Sequence, residues 1–390
     1  MKVLVLLSRI PWPLEKGDKL RAYHHLKIIS QEHDVILTCL TDSTPHPDAI
    51  EYLSKYCQEI HFIKLTKMGI LWNMARSMFN DKPFQVNYFY QKSAQKKVNT
   101  IIENHMPRHL FVQLVRTAEY VKNYHIIPST FDYMDAFSMG AERRIAKAIP
   151  GLKTIISLEA NRLKKYENFI FNHFKNKTII SKTDRELIEH PDKNQIIILP
   201  NGVDLKRFSP DINTPKKYDL VFTGNMSYPP NVKAAKYLAT QIIPILTKTH
   251  PDIKLLIAGT SPTPSVKSLA SKNIIISGWM ENITDAYNES KIFIAPMEIG
   301  TGMQNKILEA MAMKIPCITS ELAAEAIGAT HQKNILIGNS PNEYADFITT
   351  LLVKPLLYKS LTEEAERFVK AKYSWTTNGA PLLNLITSED

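Results

Sequence analysis

E-I-G-T-G-M-Q-N-K-I-L-E-A-M-A-M-K-I-P, residues Glu298 to Pro316, is the junction whose reading decides the fold. An apolar run from Lys291 to Pro296 reads as a strand; after Gly300 and Gly302 a helix is expected from about Met303 to Met313, and a new strand from Pro316. Glycines at such a joint let the backbone turn sharply and approach a ligand, and the following helix offers unpaired N–H groups and a positive dipole end. That combination suits a phosphate. Asn305 and Glu309 are four apart and Lys306 and Glu309 three apart, so all three project toward one region while Ile307, Leu308 and Met311 cover the core side. A carboxylate about one and a half turns beyond a phosphate seat is placed to take hydrogen bonds from a ribose. A helix with a surface ion pair is the simpler alternative, and the rest of the chain weighs between them.

Working outward, the same strand-and-helix rhythm continues on both sides. In the C-terminal half, apolar strands are expected at Asp219 to Thr223, Lys254 to Ala258, Asn273 to Ser277, Cys317 to Ser320 and Asn334 to Gly338, with helices between and after them. Gly224 opens a Gly- and Pro-rich loop that ends at Asn231, a candidate cap for a helix over Val232 to Leu246. In the N-terminal half, strands are expected at Lys2 to Leu7, Asp34 to Leu40, Glu59 to Leu65, His109 to Gln113 and His125 to Thr130, with shorter ones at Thr178 to Ser181 and Ile196 to Pro200. Continuous apolar runs alternating with helices imply parallel, Rossmann-like α/β sheets.

The loop after the first strand lacks G-x-G-x-x-G but carries Gly17, able to bend toward a ligand, among the basic residues Lys16, Lys19 and Arg21. Asp132 and Asp135 follow the fifth strand, where each is either a helix cap or a ligand contact. Leu152 to Phe174 reads as a long basic amphipathic helix. Pro200, Asn201-Gly202 and Ser209-Pro210 punctuate a crossing between domains, which gives an N-terminal domain over residues 1–199, a C-terminal domain over 200–374 and a last helix from Trp375 that packs back on the first.

At 390 residues the chain suits two domains. No apolar run approaches the roughly 20 residues of a membrane span, and Met1 to Leu7 is too short for a secretory signal, so a cytoplasmic protein is expected. Cys39, Cys57 and Cys317 lie far apart, which argues against disulfides and zinc. Residues 1–195 carry 29 Lys and Arg against 20 Asp and Glu, a net of +9 within a total of +10. Such a half suits an anionic partner: a phosphate-bearing substrate or an acidic membrane face. Nucleic acid is disfavoured, because neither an arginine-rich strip nor an aromatic platform accompanies the charge.

Four phrases in order, E-A-N-R-L-K-K-Y-E (Glu159 to Glu167), I-L-P-N-G-V-D-L-K-R-F (Ile198 to Phe208), F-T-G-N-M-S-Y-P-P-N (Phe222 to Asn231) and G-M-Q-N-K-I-L-E-A-M-A (Gly302 to Ala312), make the chain resemble retaining glycosyltransferases of family 4. More narrowly, it is similar to the sugar transferases of bacterial exopolysaccharide gene clusters. The resemblance implies the GT-B fold, two Rossmann-like domains facing each other across a cleft. It further implies transfer of a hexose from a nucleoside diphosphate sugar to a glycan or lipid-linked acceptor, with retention. Glu309 matches the second Glu of the family's E-x7-E pattern, which holds the ribose, while Thr301 stands at the first, sugar-reading Glu. The family's G-R…K pair after the first strand of the second domain is absent, which leaves the diphosphate to the Gly300–Gly302 loop, Lys306 and the helix N-terminus. No D-x-D triplet occurs, so neither a metal nor another cofactor is expected. The implied catalytic residues are Asp135, Lys306 and Glu309, and the implied donor contacts Gly17, Gly224, Asn231, Gly300, Thr301, Gly302, Asn305, Lys306 and Glu309. Two rivals share the fold: a sugar-nucleotide-binding or scaffolding protein that has lost catalysis, and a nucleotide-sugar epimerase.

Overall fold

The computed structural model describes residues 1–14, 16–145, 148, 150–299 and 303–388, the side chains of 143 and 150 excepted. The chain divides into two compact units, Met1–Pro200 with Asn378–Asp390, and Asn201–Thr377. Each is an α/β unit around its own parallel sheet and apolar core.

The first sheet has seven strands: β1 (Lys2–Leu7), β2 (Asp34–Thr41), β3 (Glu59–Lys64), β4 (His109–Gln113), β5 (Ser129–Asp132), β6 (Asn176–Ile179) and β7 (Ile197–Ile198), in the order β3-β2-β1-β4-β5-β6-β7. Val3 to Leu7 are buried and Val3 to Leu6 pair in parallel on both sides, as suits an apolar run in a sheet covered by helices on both faces. The second sheet has six: β8 (Tyr218–Thr223), β9 (Leu255–Ala258), β10 (Ile274–Gly278), β11 (Ser290–Ala295), β12 (Cys317–Thr319) and β13 (Leu336–Ile337), ordered β10-β9-β8-β11-β12-β13. Strand order reverses between β1 and β4 in one sheet and between β8 and β11 in the other. Loops leaving the carboxyl ends of such strands diverge and open a crevice. The three cysteines are free and buried.

Three expectations are corrected. The fifth strand is Ser129–Asp132, not His125 to Thr130: residues 125–128 make a turn that leaves Ile126 exposed, and Asp132 is drawn into the strand. There it is fully buried against Arg21, whose Nε and NH2 donate to its two carboxylate oxygens at 2.7 and 2.8 Å while NH1 reaches the Leu199 carbonyl at 2.8 Å. Burial by itself would raise the Asp132 carboxyl, but the Arg21 charge and hydrogen bonds, with help from Thr178, hold it at about 2. Arg21 and Asp132 therefore fasten the helix Gly17–Ile29 to β5, and neither is a surface charge nor a ligand contact. The helix expected over Val232 to Leu246 begins earlier, at Pro229, and is interrupted: Pro229–Tyr237, a π turn Leu238–Ile242, then Ile243–Leu246. Pro244 lacks the N–H that would bond one turn back, and the preceding turn widens.

The last helix, Trp375–Thr387, belongs to the first unit from Asn378 on. Gly379 lies on Ile28, and the Asn176 amide donates to the Leu385 carbonyl at 2.8 Å. Among the described residues no helix is long and apolar enough to cross a membrane.

Candidate active site

The second unit gathers its polar residues where β8 and β11 part. The helix Asn305–Ala312 starts there, and among the described residues its N-cap, Gln304, makes no side-chain cap hydrogen bond. Its apolar positions Ile307, Leu308, Ala310 and Met311 are buried, which turns Lys306 and Glu309 toward the ends of β8 and β9. Lys306 Nζ donates to Asn231 Oδ1 and lies 4.9 Å from the Phe222 ring centre. Asn231 in turn donates from Nδ2 to the Asn225 carbonyl at 2.9 Å. Asn231 is thus not a cap; Tyr228 occupies that position, and Asn231 sits buried in the first turn, holding the Lys306 amine. Burial pulls the Lys306 ammonium down to about 7, against an upward pull from Glu309.

Two glycines make room for this contact. Gly224 has φ +151°, and a Cβ there would stand 2.6 Å from Asn231 Nδ2 and 3.4 Å from Lys306 Nζ. Gly259, after β9, has φ +139°, and a Cβ would fall 1.8 Å from the Gly224 carbonyl oxygen. A side chain at Gly224 would displace the Asn231 amide, and one at Gly259 would displace the Gly224 backbone.

Glu309 is held from the other side. Tyr287, fully buried on the helix Ile283–Asn288, donates its phenol to Glu309 Oε2 at 2.9 Å and accepts from the Thr223 hydroxyl at 2.8 Å, since its one proton goes to the carboxylate. Burial raises the Glu309 carboxyl, opposed by the Tyr287 bond and by the Arg207 and Lys306 charges. Oε1 accepts no hydrogen bond among the described residues. Asn305 Oδ1 is buried and equally without a partner among them. Glu298 forms an exposed pair with Lys233 at 3.2 Å. Gly300, Thr301 and Gly302 lie outside the described residues.

Gly224, Asn231, Asn305, Lys306 and Glu309 are therefore brought together, whereas Gly17 and Asp135 belong to the first unit. Gly17 begins the helix Gly17–Ile29, next to Met134. Asp135 lies just past β5, half-buried. Burial, reinforced by Asp184, raises its carboxyl to about 6 despite the lowering pull of Arg116. Arg116 follows β4, donates from Nε and NH2 to Gln85 Oε1 at 3.0 and 2.7 Å, and lies 4.0 Å from Asp18, which Arg9 holds at 2.9 Å. Arg9, Arg116 and Asp135 thus line the carboxyl edge of the first sheet across its reversal point. Beside them a cavity of about 430 Å³ includes Arg9, Trp12, Lys16, Lys19, Asp42 and His46 in its walls.

Sequence reasoning missed Tyr287, Thr223, Gly259, Arg9 and Arg116. Arg207 stood in the quoted R-F pair, with no role assigned; its charge acts on Glu309 and its guanidinium lies 5.5 Å from the Phe208 ring centre. Among the described residues, Glu59, His61 and His105 have ligand atoms close enough to share a cation. They lie around the amino end of β3, the opposite edge from the loops above.

Residues 217–354 match the family model described as "Glycosyl transferases group 1". The second unit carries a glycosyltransferase group 1 domain. Gly224, Asn231, Tyr287, Lys306 and Glu309 all fall within the matched span of this domain; Arg207 precedes it. Over 95% of its length the chain is 24% identical to an uncharacterized 44.6 kDa protein in the cps region of Klebsiella pneumoniae, covering 96% of that protein. Over 34% of the chain it is 29% identical to the UDP-Gal:alpha-D-GlcNAc-diphosphoundecaprenol alpha-1,3-galactosyltransferase of Escherichia coli, of which 38% is covered. The structure superposes on sucrose-phosphate synthase from Thermosynechococcus elongatus with a TM-score of 0.70 at 14% identity, covering 99% of this chain and 98% of that one. The fold is GT-B, two parallel-sheet α/β domains.

Proposed function

We propose that the protein is a retaining glycosyltransferase of family 4 that moves a hexose from a nucleoside diphosphate sugar to a lipid-linked glycan in bacterial surface or exopolysaccharide synthesis, without a metal, at the acidic inner face of the cytoplasmic membrane. The observation that carries the reading is the paired grip in the group 1 domain: Lys306, seated by Asn231 against Gly224, and Glu309, seated by Tyr287, in the first two turns of one helix. A diphosphate at the N-terminus of that helix meets the Lys306 amine and the helix N–H groups. A ribose hydroxyl donates to Glu309 Oε1. Charge developing on the leaving diphosphate is met by groups already oriented toward it.

In the proposed step the bond between the anomeric carbon and the phosphate oxygen breaks with its electron pair going to the diphosphate. The acceptor oxygen attacks from the same face, and its proton passes to the departing phosphate. Asp135 orients an acceptor hydroxyl, and the basic cavity holding Arg9, Lys16 and Lys19 suits a phosphate-bearing acceptor. Two relatives support the setting: one is described from a cps region, and the other is named for transfer from UDP-Gal to a diphosphoundecaprenol-linked sugar.

Lys306→Ala and Glu309→Ala test the assignment. Each removes a charged contact worth roughly 1.5–3 kcal/mol, so nucleotide-sugar turnover falls by about ten- to a hundredfold with circular dichroism unchanged. Full activity in both variants would overturn it.

A further inference from the structure

The helix Lys67–Arg76 in the first unit turns large apolar side chains to solvent. It buries none of its residues fully, and its outward face, at helical spacing, carries Met68 (80% exposed), Leu71 (68%), Trp72 (65%) and Ala75. The turn that follows adds Met78 (61%) and Phe79 (92%). The side toward the protein packs Ile70 against the core and is fastened by polar contacts. The Thr66 hydroxyl caps the Gly69 N–H, Gln91 holds the Thr66 backbone at both N and O, the Asn73 amide donates to the Tyr90 carbonyl, and Arg162 donates to the Ser77 carbonyl at 2.7 Å. A surface helix in water ordinarily turns its polar side chains outward.

Polar fastening at both ends and in the middle fixes the helix while leaving its large apolar side chains in solvent. Five such side chains within twelve residues exceed what a monomer surface ordinarily exposes in one place. Charge says what covers them. From Ile60 to Asn80 the chain has Lys64, Lys67 and Arg76 and no acidic residue, within a half of net charge +9. Lys67 and Arg76 bound the apolar face at its two ends, both exposed. A second apolar group adjoins this region: Leu152 and Ile155 stand on the face of the long helix whose Glu159 and Arg162 bind residues 77–85. Trp, Met, Leu and Phe flanked by Lys and Arg suit the boundary between acyl chains and anionic headgroups, where indole and long cationic side chains each find both phases.

We infer that the helix Lys67–Arg76 with Met78 and Phe79 docks the protein on an anionic lipid bilayer, its apolar face sunk among the acyl chains and Lys67 and Arg76 at the headgroups. This names the contact for the membrane setting proposed above and rests on that reading. The short helix Phe84–Phe89 lies against the docking helix and reaches the basic cavity through the Tyr88 hydroxyl, which donates to Asp42 at 2.7 Å. A docked protein therefore brings that cavity near the bilayer surface, where a lipid-borne phosphate stands.

The test uses the full chain and sedimentation with vesicles of phosphatidylcholine, with and without phosphatidylglycerol. The wild type binds the anionic vesicles, less at high salt, and Trp72 fluorescence shifts to the blue. Trp72→Ser/Phe79→Ser lowers binding by about tenfold or more, because two large exposed anchors are lost while the polar fastenings stay. Lys67→Glu/Arg76→Glu weakens binding to the anionic vesicles only. Donor turnover measured without vesicles is unchanged in both variants, so a failure of docking and a failure of the transferase reading are distinguishable. Wild type that ignores anionic vesicles, or a Trp72→Ser/Phe79→Ser variant that binds as tightly, overturns the inference. So does sedimentation equilibrium showing a wild-type dimer that the double variant converts to monomer, since a second copy then covers the face.

Discussion

Lys306 carries the most direct consequence of burial. With its ammonium lowered to about 7, it is only partly charged at neutral pH until an anion arrives. A bound diphosphate favours the charged form and raises that value, so binding takes up a proton above pH 7. Nucleoside diphosphate affinity should then be flat below about pH 7 and fall as pH rises beyond it, a trend Lys306→Arg should flatten; titration calorimetry in buffers of different ionisation enthalpy reads both. Asp135 titrates at about 6 and gives the opposite limb: acceptor-dependent transfer should fall as pH drops below 6 and its carboxylate protonates. Asp135→Asn should lower transfer by tenfold or more while leaving donor binding intact. At this scale the sequence was a partial guide. Lys306 and Glu309 were legible because helical spacing and neighbouring glycines put them on one side of one helix. Tyr287, which orients Glu309 from 22 residues away, was not, because a tyrosine in a short helix carries no periodic signal.

Among elements, the attachment of the helix Gly17–Ile29 to β5 depends on the Arg21–Asp132 pair. Asp132→Ala leaves the Arg21 guanidinium buried and uncompensated, a loss of about 3–5 kcal/mol that chemical denaturation would show. The Asp132 value is depressed, so its contribution is present above the ordinary carboxylate range and is lost as pH falls from about 4 through 2. The same pair shows why Arg21 and Asp132 invited a functional reading. Each is a charged residue at a loop next to a strand end, where ligands bind, and only a partner 111 residues away turns both inward. Strand existence was legible throughout, because parallel strands buried on both faces are continuous apolar runs. Helix boundaries were less so: Pro244 lies inside the helix expected over Val232 to Leu246, and its missing N–H widens the turn before it. The helix Lys67–Arg76 passed unremarked, since periodicity reports that one face is apolar and not which way that face points.

For the whole molecule, charge and chemistry are divided between the two units. The second unit carries the Lys306 and Glu309 pair, and the first carries most of the positive charge (residues 1–195 have a net of +9), the basic cavity and the exposed apolar helix. That division matches a donor handled in one domain and a phosphate-bearing, membrane-borne acceptor handled in the other. Its most direct test is release of nucleoside diphosphate from a panel of nucleotide sugars by the wild-type chain and by Glu309→Ala. The account predicts release from one donor by the wild type, reduced by about ten- to a hundredfold in the variant, with both proteins equally folded. Undiminished release by Glu309→Ala, or a sugar converted with no nucleotide set free, would contradict it.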